Sequence, residues 1–143
     1  MLTVVGTVPD DAFPLVSGEA RLESGQLLVA GRRVAVNRGT PALLAAAIKT
    51  AEVVDRDPPQ ALLVGDTGLG KGSRALYAYL AEDGAADDFD ALVFHYLQPD
   101  VDWHNKVLFA VQRRSPQPLL IADAGFMYAA KMSGQAGAYD LFT

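Results

Sequence analysis

The sequence predicts an α/β fold in which helices cover both faces of a mainly parallel sheet. Three continuous apolar runs of strand length lead to this prediction, and each is followed by a segment with helical periodicity. Strands of this kind are buried on both faces, and their alternation with helices is typical of parallel sheets. We therefore expect three layers, α/β/α. The predicted strands are Ala61–Val64, Ala91–Leu97 and Pro118–Ala122, and the helices are Ser73–Glu82, Val101–Arg113 and Phe126–Met132, with Asp100 as an N-cap.

The first 37 residues have a different character and form a β-rich segment. Leu2–Val8 is a β-branched run, and two short strands, Gln26–Val29 and Arg33–Val36, flank a glycine turn. Thr40 followed by proline favours a helix that runs to about Val54, with Thr40 as its N-cap. We expect one α/β domain over residues 1–143, in which residues 1–37 precede an alternating helix/strand core at 38–143. Residues 84–88 form a short acidic loop.

Composition and charge exclude several classes of protein. Of the 143 residues, 50% are hydrophobic and 20% are charged, which is typical of a packed domain rather than a disordered chain. Without cysteine there is no thiolate nucleophile or cysteine metal site, and a net charge of −5 argues against a nucleic-acid or anionic-membrane surface. The amino terminus lacks a basic signal region, so we expect a cytoplasmic protein.

A glycine-rich loop between a predicted strand and helix is the most informative stretch. It contains Gly65, Asp66, Gly68, Gly70 and Lys71, and it leads into a helix near Ser73. Glycines let backbone N–H groups approach an anion, and the helix dipole adds partial positive charge. This pattern favours an anion or nucleotide site over the simpler alternative of a strand–helix turn without a ligand.

The loop differs from the two best-known nucleotide motifs. A P-loop requires Ser or Thr directly after its lysine, whereas Gly72 follows Lys71 here and Ser73 comes one residue late. The order of glycines in a dinucleotide-binding fingerprint is also absent. A P-loop-like nucleotide-binding protein, with Lys71 on the phosphates and Asp123 as the Walker B carboxylate, therefore stays an alternative.

Polar residues near the strand ends are further candidates. Asp66 and Asp123 each follow an apolar strand, where two carboxylates can hold Mg²⁺ or act in acid/base chemistry, or can simply cap a helix. Arg38, beside a helix start, is a candidate phosphate contact. His95 lies inside an apolar strand and is expected in the core, and His104 in the first turn of a helix is expected to be exposed. Two histidines without acidic partners at metal spacing argue against zinc.

Several motifs occur in an order that resembles one enzyme family. Val64-Gly-Asp-Thr-Gly-Leu-Gly70 resembles a strand followed by GPGLG, Gly39–Ala47 is similar to a glycine-bounded, Ala-rich helix, and Pro118–Asp123 resembles a strand ending in D-A-D. Ala136–Thr143 is similar to the approach to a T-P-H-x-G-E strand. These elements are those of the ribokinase-like ADP/ATP-dependent NAD(P)H-hydrate dehydratases, and the resemblance runs from about residue 39 to 143.

The resemblance implies a ribokinase-like fold and nucleotide-dependent dehydration of hydrated NAD(P)H, with ADP or ATP and Mg²⁺. It implies that Thr40 contacts substrate, that Gly68 and Gly70 lie against the nicotinamide nucleotide, and that Asp123, matching the second Asp of D-A-D, lies near the cleft. Asp66-Thr67 stands where the family has proline, and Ala122 replaces the first Asp.

The family's G-T-G-D signature, with its anion hole and catalytic Asp, is not among these residues and is expected beyond Thr143. We therefore expect the amino-terminal portion of such a domain, possessing an incomplete catalytic apparatus. A sugar or pyrimidine kinase on the same fold is a close alternative. A third possibility is a non-catalytic domain that forms homo-oligomers through an exposed sheet edge.

Overall fold

The computed structural model describes residues 1–82 and 88–143, so most of the predicted acidic loop lies outside the described residues. The described part contains eight strands and four α-helices. The strands are β1 (Leu2–Val8), β2 (Val16–Glu23), β3 (Gln26–Val29), β4 (Arg32–Ala35), β5 (Gln60–Gly65), β6 (Ala91–His95), β7 (Leu119–Ala122) and β8 (Leu141–Phe142). The helices are α1 (Thr40–Val53), α2 (Lys71–Ala81), α3 (Val101–Gln112) and α4 (Gly125–Met132).

All eight strands form one mixed sheet in the order β4-β3-β2-β5-β1-β6-β7-β8. The five strands from β5 to β8 in this order are parallel, so the prediction of a mainly parallel α/β sheet is confirmed. The early β-branched run, β1, lies between β5 and β6 near the middle of the sheet. Residues 1–37 are therefore integral to the sheet, because β1 is one of its central strands.

The sequence analysis missed β2. This strand pairs antiparallel with β5 and with β3, and β3 pairs antiparallel with β4. Its sequence, VSGEARLE, mixes two glutamates, an arginine and a glycine with apolar residues, and the strand is only partly buried along most of its length. A strand of this composition lacks the continuous apolar run from which β5, β6 and β7 were predicted.

Hydrophobic residues from alternate positions of the strands form two clusters. Val4 of β1 and Leu63 of β5 pack in a cluster with Leu44 of α1. Val5 and Leu62, the neighbours of those strand residues, pack in a second cluster with side chains of α2, α3 and α4. Since successive strand residues point to opposite faces, α1 lies on one face of the sheet and the other three helices on the opposite face.

Two of the three helix details that were predicted need correction. Asp100 does cap α3, since its carboxylate accepts a hydrogen bond from the Trp103 N–H at 3.0 Å. Thr40, however, is the first residue of α1, and Gly39 is the N-cap. His104 was predicted to be exposed and is fully buried, because it shares the inward face of α3 with Val107, Leu108 and Val111 at helical spacing.

No helix within residues 1–82 and 88–143 is long and apolar enough to cross a membrane.

Candidate functional site

The loop between β6 and α3 connects the predicted site residues at the carboxyl edge of the parallel strands. The Tyr96 carbonyl accepts a hydrogen bond from Thr7 of β1 at 2.6 Å. The Gln98 N–H donates to Ser73 at the start of α2 at 3.1 Å, and its carbonyl accepts from the Tyr77 hydroxyl at 2.6 Å. Open parallel sheets bind ligands at this edge, so the loop occupies the place where a site is expected.

The glycine-rich loop is wrapped around the carboxylate of Asp66. One carboxylate oxygen accepts hydrogen bonds from the Gly68 and Gly70 N–H groups at 2.9 and 3.0 Å. The other accepts from the N–H and the hydroxyl of Ser73, both at 2.8 Å. Gly70 is the N-cap of α2, and Asp66 instead holds the loop to the first turn of that helix through these hydrogen bonds.

These hydrogen bonds also set the ionisation of Asp66. Burial of the carboxylate raises its pKa, but the hydrogen bonds from Ser73, Gly70 and Gly68 together outweigh burial, and the pKa lies below the usual value for aspartate. The backbone N–H groups that a P-loop would donate to phosphate thus already donate to the ionised carboxylate of Asp66. The loop would bind a phosphate through these three amides only if Asp66 moved out.

A second group of side chains joins α1 to the ends of β6 and β7. The Thr40 hydroxyl lies 3.1 Å from Nδ1 of His95, and Nε2 of His95 lies 3.4 Å from a carboxylate oxygen of Asp123. The other oxygen of Asp123 accepts the Ala124 N–H at 2.6 Å. Thr40 and His95 are buried, whereas the Asp123 side chain is 30% exposed. The chain of contacts therefore ends at a carboxylate that a ligand can reach.

Gly6 of β1 makes this arrangement possible. A Cβ atom at position 6 would lie 2.5 Å from both the Thr40 hydroxyl oxygen and the His95 carbonyl oxygen. The start of α1 therefore rests directly on the sheet beside His95. Glycine inside a β-branched strand often marks such a close approach, and this signal was present in the sequence but was not used.

Tyr96 and Gln98 extend the site between the two groups. The Tyr96 ring lies over Gly39, since a Cβ atom there would be 3.8 Å from Cδ2 of the ring, and 56% of Tyr96 is exposed. The Gln98 side chain lies beside the glycine loop, 3.7 Å from a Cβ placed at Gly68. Sequence reasoning missed both residues, and it assigned His95 to the core.

The structure does not bring every predicted site residue together. Lys71 is exposed and lines a cavity of about 350 Å³ with Asp11 and Gly65, and none of Thr40, His95 and Asp123 lines that cavity. Arg38 is exposed and lines another cavity, of about 450 Å³, with Arg33, Asn37 and Asp10 at the end of β1. Of the predicted residues, those at the carboxyl edge are thus Thr40, Gly68, Gly70, Ser73 and Asp123. Asp66 is there as well, where it accepts the hydrogen bonds that hold the glycine loop.

The described residues do not form a complete metal site by themselves. Residues 1–82 and 88–143 contain no group of three histidine or acidic side chains that could hold a metal. Both oxygens of Asp66 accept hydrogen bonds from the glycine loop, and those of Asp123 face His95 and Ala124.

The chain is similar in sequence to an archaeal protein. The uncharacterized protein MJ1337 from Methanocaldococcus jannaschii is 34% identical over 100 residues, which cover 70% of this chain and 38% of that protein. The match thus spans well under half of the relative's length. No protein-family model matches the chain, and no solved structure matches it significantly.

Proposed function

We propose that this chain binds a nucleotide-type small molecule at the carboxyl edge of its sheet. In this proposal it is an NAD(P)H-hydrate dehydratase-like or small-molecule kinase-like protein that uses ADP or ATP, and its architecture is ribokinase-like. One observation carries the proposal. Thr40 and Asp123 contact His95 at the end of β6, and Gly68 and Gly70 lie beside Gln98 in the loop that follows, so residues that match three family motifs lie around the end of this strand. Residues up to 83 positions apart in the chain converge there, as a common ligand site would require.

The exposed surface at this edge suits a nucleotide ring. Tyr96 offers an exposed aromatic ring, Gln98 offers an amide, and Asp123 offers a carboxylate. In such a site ATP or ADP would phosphorylate the hydroxyl of the hydrated nicotinamide ring, and phosphate would then leave. The protein would contribute positioning and charge stabilisation.

Replacement of Tyr96 by alanine tests this function. Stacking of a base on an aromatic ring contributes about 1–3 kcal/mol, so we expect Tyr96→Ala to weaken binding of ADP, ATP or hydrated NADH roughly tenfold or more. Isothermal titration calorimetry on the full chain measures this change. Tyr128→Ala is the matched control, because Tyr128 on α4 is 57% exposed and lies outside the site. Wild-type protein that binds none of these nucleotides, or equal affinity in Tyr96→Ala, would contradict the proposal.

A second candidate function, self-association, is favoured by the uncovered side of β6, β7 and β8. Of the described helices, α1 packs on this face of the sheet, where it contacts mainly β1, β2 and β3. It therefore leaves the same face of β6, β7 and β8 largely without a helix. Leu119 and Leu141, whose register places them on that side, are 58% and 51% exposed. Exposed apolar side chains beside an edge strand favour pairing between copies.

Light scattering on a sizing column tests self-association. We expect wild-type protein to form a dimer and Leu141→Asp to shift it towards the monomer, because a buried charge at the interface is costly. Phe109→Asp is a control on the opposite side of the sheet, where Phe109 of α3 is 47% exposed. A monomeric wild-type chain at all concentrations would exclude this candidate.

A further inference from the structure

A buried histidine joins three parts of the chain on the side of the sheet opposite α1. His104 of α3 is fully buried. Its Nδ1 atom lies 3.0 Å from Oδ1 of Asn105 and 3.3 Å from the hydroxyl oxygen of Ser133, at the end of α4. Its Nε2 atom lies 2.8 Å from the hydroxyl oxygen of Tyr139. The imidazole therefore connects α3 with the end of α4 and with residues 136–143, and it lies outside the candidate site.

A neutral imidazole satisfies these partners. With the proton on Nδ1, the ring donates to Asn105, and Nε2 accepts a hydrogen bond from the Tyr139 hydroxyl. The Ser133 hydroxyl donates to the Ala130 carbonyl at 3.0 Å, so its oxygen can accept from Nδ1. A protonated ring would carry hydrogens on both nitrogens, and the Tyr139 hydroxyl would then have to turn its own hydrogen away. The hydrogen bonds thus fit an uncharged histidine.

The described groups that face the ring carry no charge. They are Asn105 of α3, Phe126 and Ser133 from the two ends of α4, and Tyr139, and the Phe126 centroid is 5.2 Å from that of the imidazole. Tyr139 is the titratable group among them, and burial raises its pKa, so it is neutral at physiological pH. A proton on His104 would therefore place a charge in the interior without a counter-ion, which is costly.

Charged residues on the same elements have other partners or are exposed. The Asp100 carboxylate accepts the Trp103 N–H at 3.0 Å, and the Asp140 carboxylate accepts the Leu120 N–H at 2.8 Å. The other charged side chains of α3 and α4 are exposed: Asp102, Lys106 and Lys131. Burial accordingly lowers the pKa of His104, and hydrogen bonding opposes this effect only in part.

Tyr139 belongs to the segment 136–143, which also forms the edge strand β8. That strand has two residues, and the Thr143 N–H beside it donates to the Ala122 carbonyl at 3.1 Å. Short edge elements open at a lower free energy than the core does. Ala122 directly precedes Asp123, so opening of this segment would change the strand end that carries the Asp123 carboxylate.

We propose that His104 is a pH-sensitive switch for this segment. While the imidazole is neutral, its hydrogen bond with Tyr139 holds residues 136–143 against α3 and β7. Protonation of the imidazole releases them, because solvent then stabilises a charge that the closed interior leaves without a partner. The switch needs no ligand, so it is independent of the proposed function.

The environment of the imidazole sets the direction of the pH effect. His104 holds a proton more weakly in the closed protein than in the opened segment, where it has the ordinary histidine pKa of about 6.5. The closed state is therefore most stable above that pH and loses stability as the pH falls below it. Because opening takes up at most one proton, the ratio of open to closed molecules should rise by up to about tenfold between about pH 7.5 and pH 5.5.

Amide hydrogen exchange on the full chain, followed by NMR at these two pH values, measures this ratio. The Asp140 and Thr143 N–H groups, which donate to carbonyls of β7, report the segment, and Leu63 in β5 reports the core. After correction for the intrinsic exchange rate, we expect the protection of Asp140 and Thr143 to be at least about tenfold lower than that of Leu63, and to fall further at the lower pH. The ring signals of His104 should titrate at lower pH than those of a histidine in an unfolded chain.

Two pairs of variants separate the switch from general effects of acid. His104→Gln removes the titrating group, so the change in protection between the two pH values should fall below about twofold, whereas it should persist in His95→Gln. Tyr139→Phe keeps the ring and removes the hydroxyl, and we expect it to lower the protection of Thr143 about fivefold at the higher pH. Tyr128→Phe is its control, because Tyr128 of α4 is 57% exposed.

Four results would each overturn this proposal. Two are exchange results: protection of Asp140 and Thr143 that is the same at both pH values, or a pH effect that persists in His104→Gln. The third is protection equal to that of Leu63, which would mean that the segment opens only when the whole domain unfolds. The fourth is a set of His104 ring signals that titrate as in an unfolded chain. All but the second are measured on wild-type protein, so they decide the question even if His104→Gln does not fold.

Discussion

Replacement of Gly72 by alanine is expected to destabilise the domain by about 3 kcal/mol. A Cβ atom at this position in α2 would lie 2.0 Å from the carbonyl oxygen of Gly65 and 3.0 Å from Cβ of Asp66. The first of these is a backbone atom at the end of β5, so the clash cannot be relieved by rotation of a side chain. Alanine gains about 1 kcal/mol in helix propensity over glycine, and this gain is smaller than the expected cost of overlap.

Denaturant unfolding monitored by circular dichroism measures this effect. Gly137→Ala is the control, since a Cβ atom there meets nothing within 4 Å and the free energy of unfolding should change by less than about 0.5 kcal/mol. Equal stability of the two variants would show that α2 does not approach β5 as closely as described.

The same close contact bears on the P-loop alternative. That motif needs a hydroxyl residue directly after its lysine, at position 72 in this chain. Serine there would bring its Cβ into the Gly65 carbonyl, so the metal-binding hydroxyl cannot be introduced without moving α2 or β5. Together with the amides bound to Asp66, this packing explains why the loop departs from the P-loop pattern.

Local patterns in the sequence were sufficient for much of the fold. The continuous apolar runs predicted β5, β6 and β7, and helical periodicity predicted the helices that follow them. β2 was missed because it is only partly buried and has no apolar run, and its pairing with β5 and β3 is not visible in its own sequence. His104 was misplaced because its position in the first turn of α3 suggested exposure, whereas helical spacing puts it on the inward face of that helix.

The candidate site was predictable only in part, for a related reason. The glycine loop is local in the chain, and its glycines were found at once. The contact between Thr40 and His95 joins residues 55 positions apart, and it depends on the absence of a side chain at Gly6. The sequence around His95 shows only an apolar strand and does not reveal Thr40 or Asp123 as its partners. It therefore predicted a core residue.

Replacement of Asp66 by asparagine is expected to cost about 2 kcal/mol at pH 7. Asparagine retains one acceptor oxygen, so two of the four hydrogen bonds to the carboxylate are lost and buried donors of Gly68 and Gly70, or of Ser73, are left without their acceptor. The charge that favours the start of α2 is lost as well. The free energy of unfolding of the two proteins, measured by urea titration, gives the difference.

The pH dependence of this difference identifies the carboxylate as its source. The pKa of Asp66 is lower in the folded protein than in the unfolded chain, so its stabilising contribution is fully present above the unfolded pKa of about 3.9 and is lost as pH falls through the folded pKa. The gap between wild type and Asp66→Asn should therefore be constant near neutrality and narrow below about pH 4. Asp57→Asn is the control, because the Asp57 side chain is exposed. A gap that stays constant down to the acid transition would mean that the ionised carboxylate does not hold the glycine loop.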